Sequence, residues 1–158
     1  MIVRWPGTVQ PGTRCNDYLI IEDFYPSILE MAGIDDYDVP QEIDGISFVP
    51  LLKQTKNHSQ GHSLYWNCPN IWGEKGPGIG PSCTIRKDNW KMIYFYETGE
   101  KELYDIPNDI EENNNVAALY PQIINKLSKE IGKFLRQTNG QRPSFKKTGK
   151  PCPWPDEI

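Results

Sequence analysis

The chain has 158 residues, of which 37% are hydrophobic and 24% are charged, and its formal net charge is −4 at pH 7. Its acidic balance argues against a nucleic-acid binder, because no basic stripe is available to neutralise phosphates. No run approaches the roughly 20 apolar residues that span a bilayer, so we expect no membrane span. The first residues also lack the pattern of a signal peptide. One small domain, or a small domain joined to part of a larger one, is the expected organisation.

The chain opens on residues 2–5, Ile-Val-Arg-Trp, which we predict to be a strand followed by two Pro-Gly turns. Such a strand needs neighbours in a sheet, because unpaired backbone groups along an edge invite association. Either Met1 is a true start with an unusual edge strand, or the chain is the tail of a longer protein, which is the interpretation that we favour. The isolated chain is expected to expose apolar surface and to associate.

A short helix is predicted after residue 23. Asp23 is its predicted N-cap, since a carboxylate there can accept from the free N–H groups of the first turn. Pro26 lies in that turn, where no backbone donor is missed. Gly33 is placed to end the helix in the left-handed conformation.

The clearest prediction is an antiparallel meander over residues 83–86, 90–96 and 102–104, which are rich in aromatic and β-branched side chains. Residues 63–66 add a further short strand. Strand alternation puts apolar groups on both faces of the middle strand, so the sheet needs a cover. One face carries Trp90, Met92, Tyr94 and Tyr96, and the other carries Lys91, Ile93 and Phe95.

An amphipathic helix supplies that cover. Apolar residues recur at intervals of three and four between Tyr120 and Leu135, and Pro121 lies near the helix start. The expected fold class is α+β, with about four antiparallel strands packed against this C-terminal helix. Residues 138–158 are rich in proline, lysine and glycine, and we predict an extended tail that Trp154 lays back on the surface.

Between the strands, residues 67–81 are predicted to form a long irregular loop. Loops of more than about 12 residues are uncommon in compact domains unless they have a function. The loop is therefore either a surface connection or a binding loop. A tryptophan near amide side chains suits a polar, ring-shaped ligand such as a sugar, which makes Asn67, Asn70 and Trp72 candidate ligand contacts.

The four cysteines are widely spaced, and with only His58 and His62 beside them no metal site is predicted. A disulfide between Cys68 and Cys83 and free buried thiols are both left open. We also find no catalytic constellation, since the sequence has neither a Gly-x-Ser-x-Gly elbow nor a phosphate-cradling glycine loop.

Read in order, five segments resemble the C-terminal part of the type I sulfatases, the arylsulfatase-like enzymes that depend on formylglycine. The resemblance covers residues 1 to about 137 and implies that residues 1–52 end the α/β catalytic domain. Residues 63–137 would be the sulfatase C-terminal subdomain, an antiparallel sheet on a terminal helix. The segments are IVRWPGTVQPGT, IIEDFYPSILEMAGI, IDGISFVPLL, SLYW and IRKDNWKMIYFYETGEKELYDIPNDIEENNNVA.

For the parent enzyme the resemblance implies hydrolysis of sulfate esters, with a formylglycine made from the Cys or Ser of Cys/Ser-x-Pro-x-Arg and a calcium ion held by Asp and Asn side chains. None of the four cysteines lies in that motif. We therefore expect the nucleophile and the calcium ligands upstream, no catalytic residue and no cofactor in this chain, and no activity of the chain alone. The expected location of the parent is periplasmic or secreted.

The expected partners are the missing N-terminal catalytic domain and a sulfated small molecule or carbohydrate. This part of the enzyme is expected to close one wall of the substrate pocket. Its contacts would be Asn67, Asn70, Trp72 and Lys75, with Lys75 pairing with an anionic group of the ligand. Two alternatives stay open: a free-standing, non-catalytic glycan-binding module, and a fragment of a related hydrolase that acts on phosphate esters.

Overall fold

A computed structural model of the chain describes residues 1–34, 36, 38–54, 62–70 and 80–158. They form two compact units, Met1–His62 and Ser63–Ile158, which we call the first and the second unit. Within these ranges, no helix has both the length and the apolar character that crossing a membrane requires.

The described residues of the first unit contain two short helices. A 3₁₀ turn, Ile21–Asp23, runs directly into helix α1, Phe24–Met31, and helix α2 follows at Val49–Leu52. Pro26 lies in the first turn of α1, as predicted. Gly33 has a φ of 71° and takes the left-handed conformation predicted to end the helix.

The predicted strand at residues 2–5 is wrong. This segment is irregular and leads into a turn at residues 6–8. A strand is stabilised by the ladder that it forms with a neighbour, and the described part of the first unit contains no strand that could pair with it. Ile2 is accordingly 98% exposed.

Asp23 is also not the predicted side-chain cap of α1. A capping residue has extended backbone angles, whereas Asp23 has φ −68° and ψ −20° because the 3₁₀ turn continues into the helix. Its carboxylate instead accepts hydrogen bonds from the backbone N–H groups of Ile20, at 3.1 Å, and Ile46, at 2.9 Å. Asp23 therefore ties two separate segments together.

The second unit is built on a four-stranded antiparallel sheet with strand order β1-β2-β3-β4, so the predicted meander and the strand before it are confirmed. The register places Ile85 opposite Tyr65 on one side and Met92 on the other. The first strand runs two residues further than predicted, so that Asn67 lies in a strand and not in the loop. The strands are β1, Ser63–Cys68; β2, Ser82–Lys87; β3, Trp90–Phe95; and β4, Lys101–Asp105.

Helix α3, Pro121–Gln137, packs on one face of this sheet and confirms the predicted α+β fold. Met92, Tyr94 and Tyr96 are fully buried on that face, as the strand alternation predicts, while Ile93 and Phe95 on the opposite face are half-buried. Helix α3 contributes four residues to the common core: Ile124, Leu127, Ile131 and Leu135.

The segment predicted as an extended tail does more than lie along the surface. It forms an isolated antiparallel bridge between Ser144 and Pro151, and it ends in a 3₁₀ turn, Pro155–Glu157. Cys152 and Trp154 are buried and belong to the core between the sheet and α3. Their apolar side chains complete this core, because Trp154 packs against Tyr96 with a ring-centroid distance of 6.5 Å.

Of the two possibilities left open for the cysteines, the structure shows free thiols. Asn67 is the register partner of Cys83, so Cys68, one residue further along β1, points to the opposite face of the sheet. Cys83 is buried, and this burial raises the pKa of its thiol to about 12. Cys83 is therefore a protonated core residue.

Candidate functional site

Two of the four candidate substrate contacts, Asn67 and Asn70, fall within the described residues. Trp72 and Lys75 lie outside them, as does His58. Asn67 is the next-to-last residue of β1, and Asn70 is exposed two residues after the strand ends. The structure thus brings Asn67 and Asn70 to the same end of the sheet.

The side chain of Asn67 connects the core to the tail. Its Oδ1 accepts a hydrogen bond from the Tyr96 hydroxyl at 2.9 Å, and its Nδ2 donates to the backbone oxygen of Gln141 at 2.7 Å. Burial, with Cys83 nearby, raises the pKa of Tyr96 far above its usual range, so the hydroxyl remains a donor. Asn67 therefore fixes the start of the tail segment against the end of β1.

Residues 143–151 form a tight turn that we call the tail hairpin. Phe145 N–H donates to the oxygen of Lys150, and Cys152 N–H donates to the oxygen of Pro143, both at 2.9 Å. Gly149 has a φ of 66°, which a glycine adopts at little cost. The tip of the hairpin is thereby closed, and the side chains of residues 144–148 are exposed.

The end of the tail hairpin is anchored in the core. The Arg142 guanidinium lies 4.8 Å from the centre of the Trp154 ring and donates to the backbone oxygen of Cys152 at 3.2 Å. The Tyr94 hydroxyl donates to the oxygen of Pro153 at 2.9 Å. Burial raises the pKa of Tyr94 to about 12, which keeps that donor protonated. The second stem of the hairpin is thus held by the buried Tyr94, and Arg142 packs on the buried ring of Trp154.

Next to the tail hairpin is a cleft of about 770 Å³, which we call the tail cleft. Asn70 and Glu97 line one part of it, and Phe145, Lys146 and Lys147 line the part formed by the hairpin. A concave site with an aromatic ring and a few polar groups has the composition of a small-ligand site. Its remaining lining residues, within the part of the chain that the structure describes, are Pro69, Pro81, Pro143, Ser144, Thr148 and Cys152.

The lysines of the tail cleft differ from several others in the second unit. Lys87 is paired with Glu130, and Lys91 with Glu112, whereas Lys146 and Lys147 form no ion pair with any described residue. The sequence predictions missed these two lysines and Phe145. One signal would have indicated them: residues 138–151 contain four basic residues and no acidic one, in a chain of net charge −4.

The first unit contains a buried acid–histidine pair, with Nε2 of His62 lying 3.4 Å from Oδ1 of Asp23. The neighbouring hydroxyl of Ser27 donates to the backbone oxygen of Asp23 at 2.6 Å and accepts from Phe48 N–H at 2.8 Å. These bonds hold α1 to the segment before α2, which gives the group a structural role. In the described residues no three His, Cys, Asp or Glu side chains are grouped to hold a metal ion.

A four-stranded antiparallel sheet covered by one helix is the architecture that the sequence resemblance implies for a sulfatase C-terminal subdomain. A family model described as "N-sulphoglucosamine sulphohydrolase, C-terminal" matches residues 1–138. The chain therefore belongs to this family of sulfatase C-terminal regions, and the resemblance seen in the sequence is confirmed.

An ulvan-active sulfatase of Formosa agariphila is 29% identical over 169 residues, covering 85% of this chain and 32% of the relative. The N-acetylglucosamine-6-O-sulfatase of Bacteroides thetaiotaomicron is 27% identical over 147 residues, and the match covers 89% of this chain and 25% of the relative. The protein in the solved structure of BT4656 in complex with its substrate D-glucosamine-2-N,6-O-disulfate is 28% identical in sequence, with a TM-score of 0.55. The match covers 73% of this chain and 23% of that one. The chain thus spans about a quarter to a third of the length of these relatives.

Proposed function

We propose that this chain is the C-terminal part of a sulfatase that hydrolyses sulfate esters of carbohydrates, and that it supplies one wall of the substrate pocket. The observation that carries this proposal is the family match over residues 1–138, together with relatives whose names specify sulfated sugars. The tail cleft supports it, because the cleft combines an amide, an aromatic ring and basic groups.

No catalytic step is assigned to the residues of this chain. The proposed nucleophile is a formylglycine made from Cys/Ser-x-Pro-x-Arg, a motif that surrounds none of the four cysteines. Together with a calcium ion it would supply nucleophilic attack and charge stabilisation from the upstream part of the parent. We place the parent in the periplasm or outside the cell, by analogy with the family.

The work of this chain is to bind and orient the substrate. Asn70, Trp72 and Lys75 are proposed to contact the ligand, with Lys75 pairing with an anionic group. Asn67 is proposed to contribute to the same wall and, through its bonds to Tyr96 and Gln141, to hold it in place. A fixed binding wall is important for the reaction rate, because much of the rate enhancement from orientation is lost when the substrate is misplaced.

The test is to assay the full-length protein for inorganic sulfate released from a panel of sulfated mono- and disaccharides that includes D-glucosamine-2-N,6-O-disulfate. The matched control is phosphate release from glucosamine 6-phosphate. We expect sulfate release from at least one sugar and much slower phosphate release. Absence of sulfate release across the panel, or faster phosphate release, would overturn the proposal, the second result in favour of a phosphate-ester hydrolase.

One observation favours a non-catalytic glycan-binding module as a second candidate. The described residues that line the tail cleft all belong to the second unit, so they form the cleft without help from an upstream domain. The same assay separates the two candidates, because a binding module would retain a sulfated sugar without releasing sulfate from it.

A further inference from the structure

We propose that the tail cleft is a binding site for a sulfated sugar unit, in which Phe145 packs against the sugar ring and Lys146 and Lys147 bind its sulfate group. The inference rests on the proposed function only for the class of ligand. The site shares Asn70 with the four residues predicted from the sequence and adds Phe145, Lys146 and Lys147, which lie beyond residue 138, where the family match ends.

The charges of the cleft favour an anion on the hairpin side. Lys146 and Lys147 are adjacent and exposed, both line the cleft, and neither forms an ion pair with another described residue. An ammonium group donates up to three hydrogen bonds, and such bonds to an anionic oxygen are stronger than neutral ones. Glu97 also lines the cleft and would repel a sulfate group, which favours an orientation with the sulfate toward the lysines.

The apolar part of the cleft suits a sugar ring. Phe145 is 37% exposed although it is a large aromatic residue in a tightly turned segment. A pyranose ring has C–H groups on its faces and hydroxyl groups at its edge, so an exposed phenyl ring can cover a face while Asn70 is available to a hydroxyl. Free inorganic sulfate would use the lysines but gain nothing from Phe145.

The hairpin is held in place before any ligand binds. Asn67 fixes its first stem through Gln141, and Tyr94 fixes its second stem through Pro153. Turn closure by Gly149 restrains its tip. A preformed loop avoids part of the ordering cost that weakens binding by flexible segments, which is the property expected of a binding element.

The test is a nuclear magnetic resonance titration of the full-length protein with D-glucosamine-2-N,6-O-disulfate, following backbone amides of the tail hairpin and Asn70. Parallel titrations use unsulfated glucosamine and sodium sulfate. We compare the wild type with the double variant Lys146→Gln/Lys147→Gln. The control is Lys150→Gln, which changes an exposed lysine of the same hairpin that does not line the cleft.

We expect the disulfated sugar to shift these amides, and the double variant to weaken its affinity by about tenfold or more, as the loss of charged hydrogen bonds predicts. Lys150→Gln should change it by less than about twofold. Phe145→Ala should weaken the affinity for the disulfated sugar by about fivefold and leave the affinity for sodium sulfate unchanged. Phe145→Tyr should bind the sugar with the affinity of the wild type.

Three results would overturn the inference: no shift of these amides in the wild type, equal losses in the double variant and in Lys150→Gln, or sodium sulfate that binds as tightly as the sugar. The titration is independent of catalysis. Sulfate release by the full-length protein without binding at the cleft would reject this site alone. Binding at the cleft without sulfate release would reject the proposed hydrolysis and leave the site standing.

Discussion

The two units of the chain are stabilised in different ways. The second unit has a continuous apolar core in which Tyr94, Met92, Leu103 and Ile131 are fully buried. In the first unit the fully buried residues include Asp23 and Ser27, whose polar groups bond to backbone. One unit therefore depends mainly on apolar burial, and the other depends to a larger extent on a few buried hydrogen bonds.

This difference indicates which substitutions should destabilise each unit most. Apolar burial is spread over many contacts, and each core residue contributes in proportion to its buried area. A buried hydrogen-bond network is concentrated in few atoms, and removing one partner leaves the others without compensation. We expect the first unit to be damaged most by loss of a polar group and the second by loss of apolar volume.

The largest effect is expected for Ile131→Ala in the core of the second unit. Ile131 is fully buried between α3 and the sheet, and replacing such a residue by alanine costs about 2–5 kcal/mol of stability. Urea unfolding of the second unit, followed by its tryptophan fluorescence, measures this loss. Ile110→Ala is the control, because Ile110 is 74% exposed; equal losses in both variants would contradict the assigned core.

Asp23→Ala is expected to destabilise the first unit by about 2 kcal/mol, because the backbone N–H groups of Ile20 and Ile46 lose their acceptor. Hydrogen exchange at the amide of Ile46 should become faster, while amides of β3 keep their protection. Glu42→Ala, at an exposed position of the same unit, is the control. If hydrogen exchange at Ile46 is unchanged in Asp23→Ala, the buried hydrogen bonds of Asp23 do not stabilise the first unit.

Gly132→Ala tests the contact between α3 and the end of the tail. A Cβ atom at Gly132 would overlap the carboxylate of Asp156, so Asp156 must move away from its partner Arg136. The gain in helix propensity is smaller than the overpacking cost, and a net loss of about 1 kcal/mol is expected. Thermal unfolding measures it, and a stabilised variant would contradict the close packing.

The smallest effect concerns acid stability through Glu130, which accepts hydrogen bonds from Lys87, Ser63 and Tyr65. Burial alone would raise the pKa of Glu130, but the bonds from Lys87 and Ser63 outweigh it and hold the pKa below its ordinary value of 4.5. The stability that Glu130 contributes is therefore present above pH 4.5 and is lost as the pH falls through the lowered pKa.

Unfolding curves between pH 6 and pH 3 check this for the wild type and Glu130→Gln. We expect the wild type to be more stable at pH 6 by less than about 1 kcal/mol, since the pair is only partly buried, and the difference should shrink toward pH 3. A difference that is constant with pH, or that grows as the pH falls, would contradict this role of Glu130.

Much of the second unit was predictable because its signals are local. Alternation along β3 and the three-and-four spacing of α3 depend on residues close in sequence. The N-terminal strand was mispredicted from an apolar run that has no pairing partner within the described residues. Asp23 was wrongly predicted as a side-chain cap because a 3₁₀ turn precedes the helix and gives this residue helical backbone angles. No local sequence pattern predicted that turn.

The candidate site was predictable only in part. Asn67 and Asn70 were identified from their residue types, but the bonds from Asn67 to Tyr96 and Gln141 join positions 29 and 74 residues apart, which no local pattern shows. The tail hairpin was missed because its prolines and lysines are typical of a solvated tail. Its attachment to the core depends on the burial of Cys152 and Trp154 and on hydrogen bonds from Asn67 and Tyr94, which join residues far apart in the sequence.

The central claim is that this chain is the C-terminal part of a sulfatase, and the most direct test is to sequence the coding region immediately upstream of the Met1 codon. The claim predicts an in-frame extension of a few hundred codons that encodes Cys/Ser-x-Pro-x-Arg. An in-frame stop codon close before Met1, preceded by a ribosome-binding site, would contradict it and leave the glycan-binding module as the function to pursue.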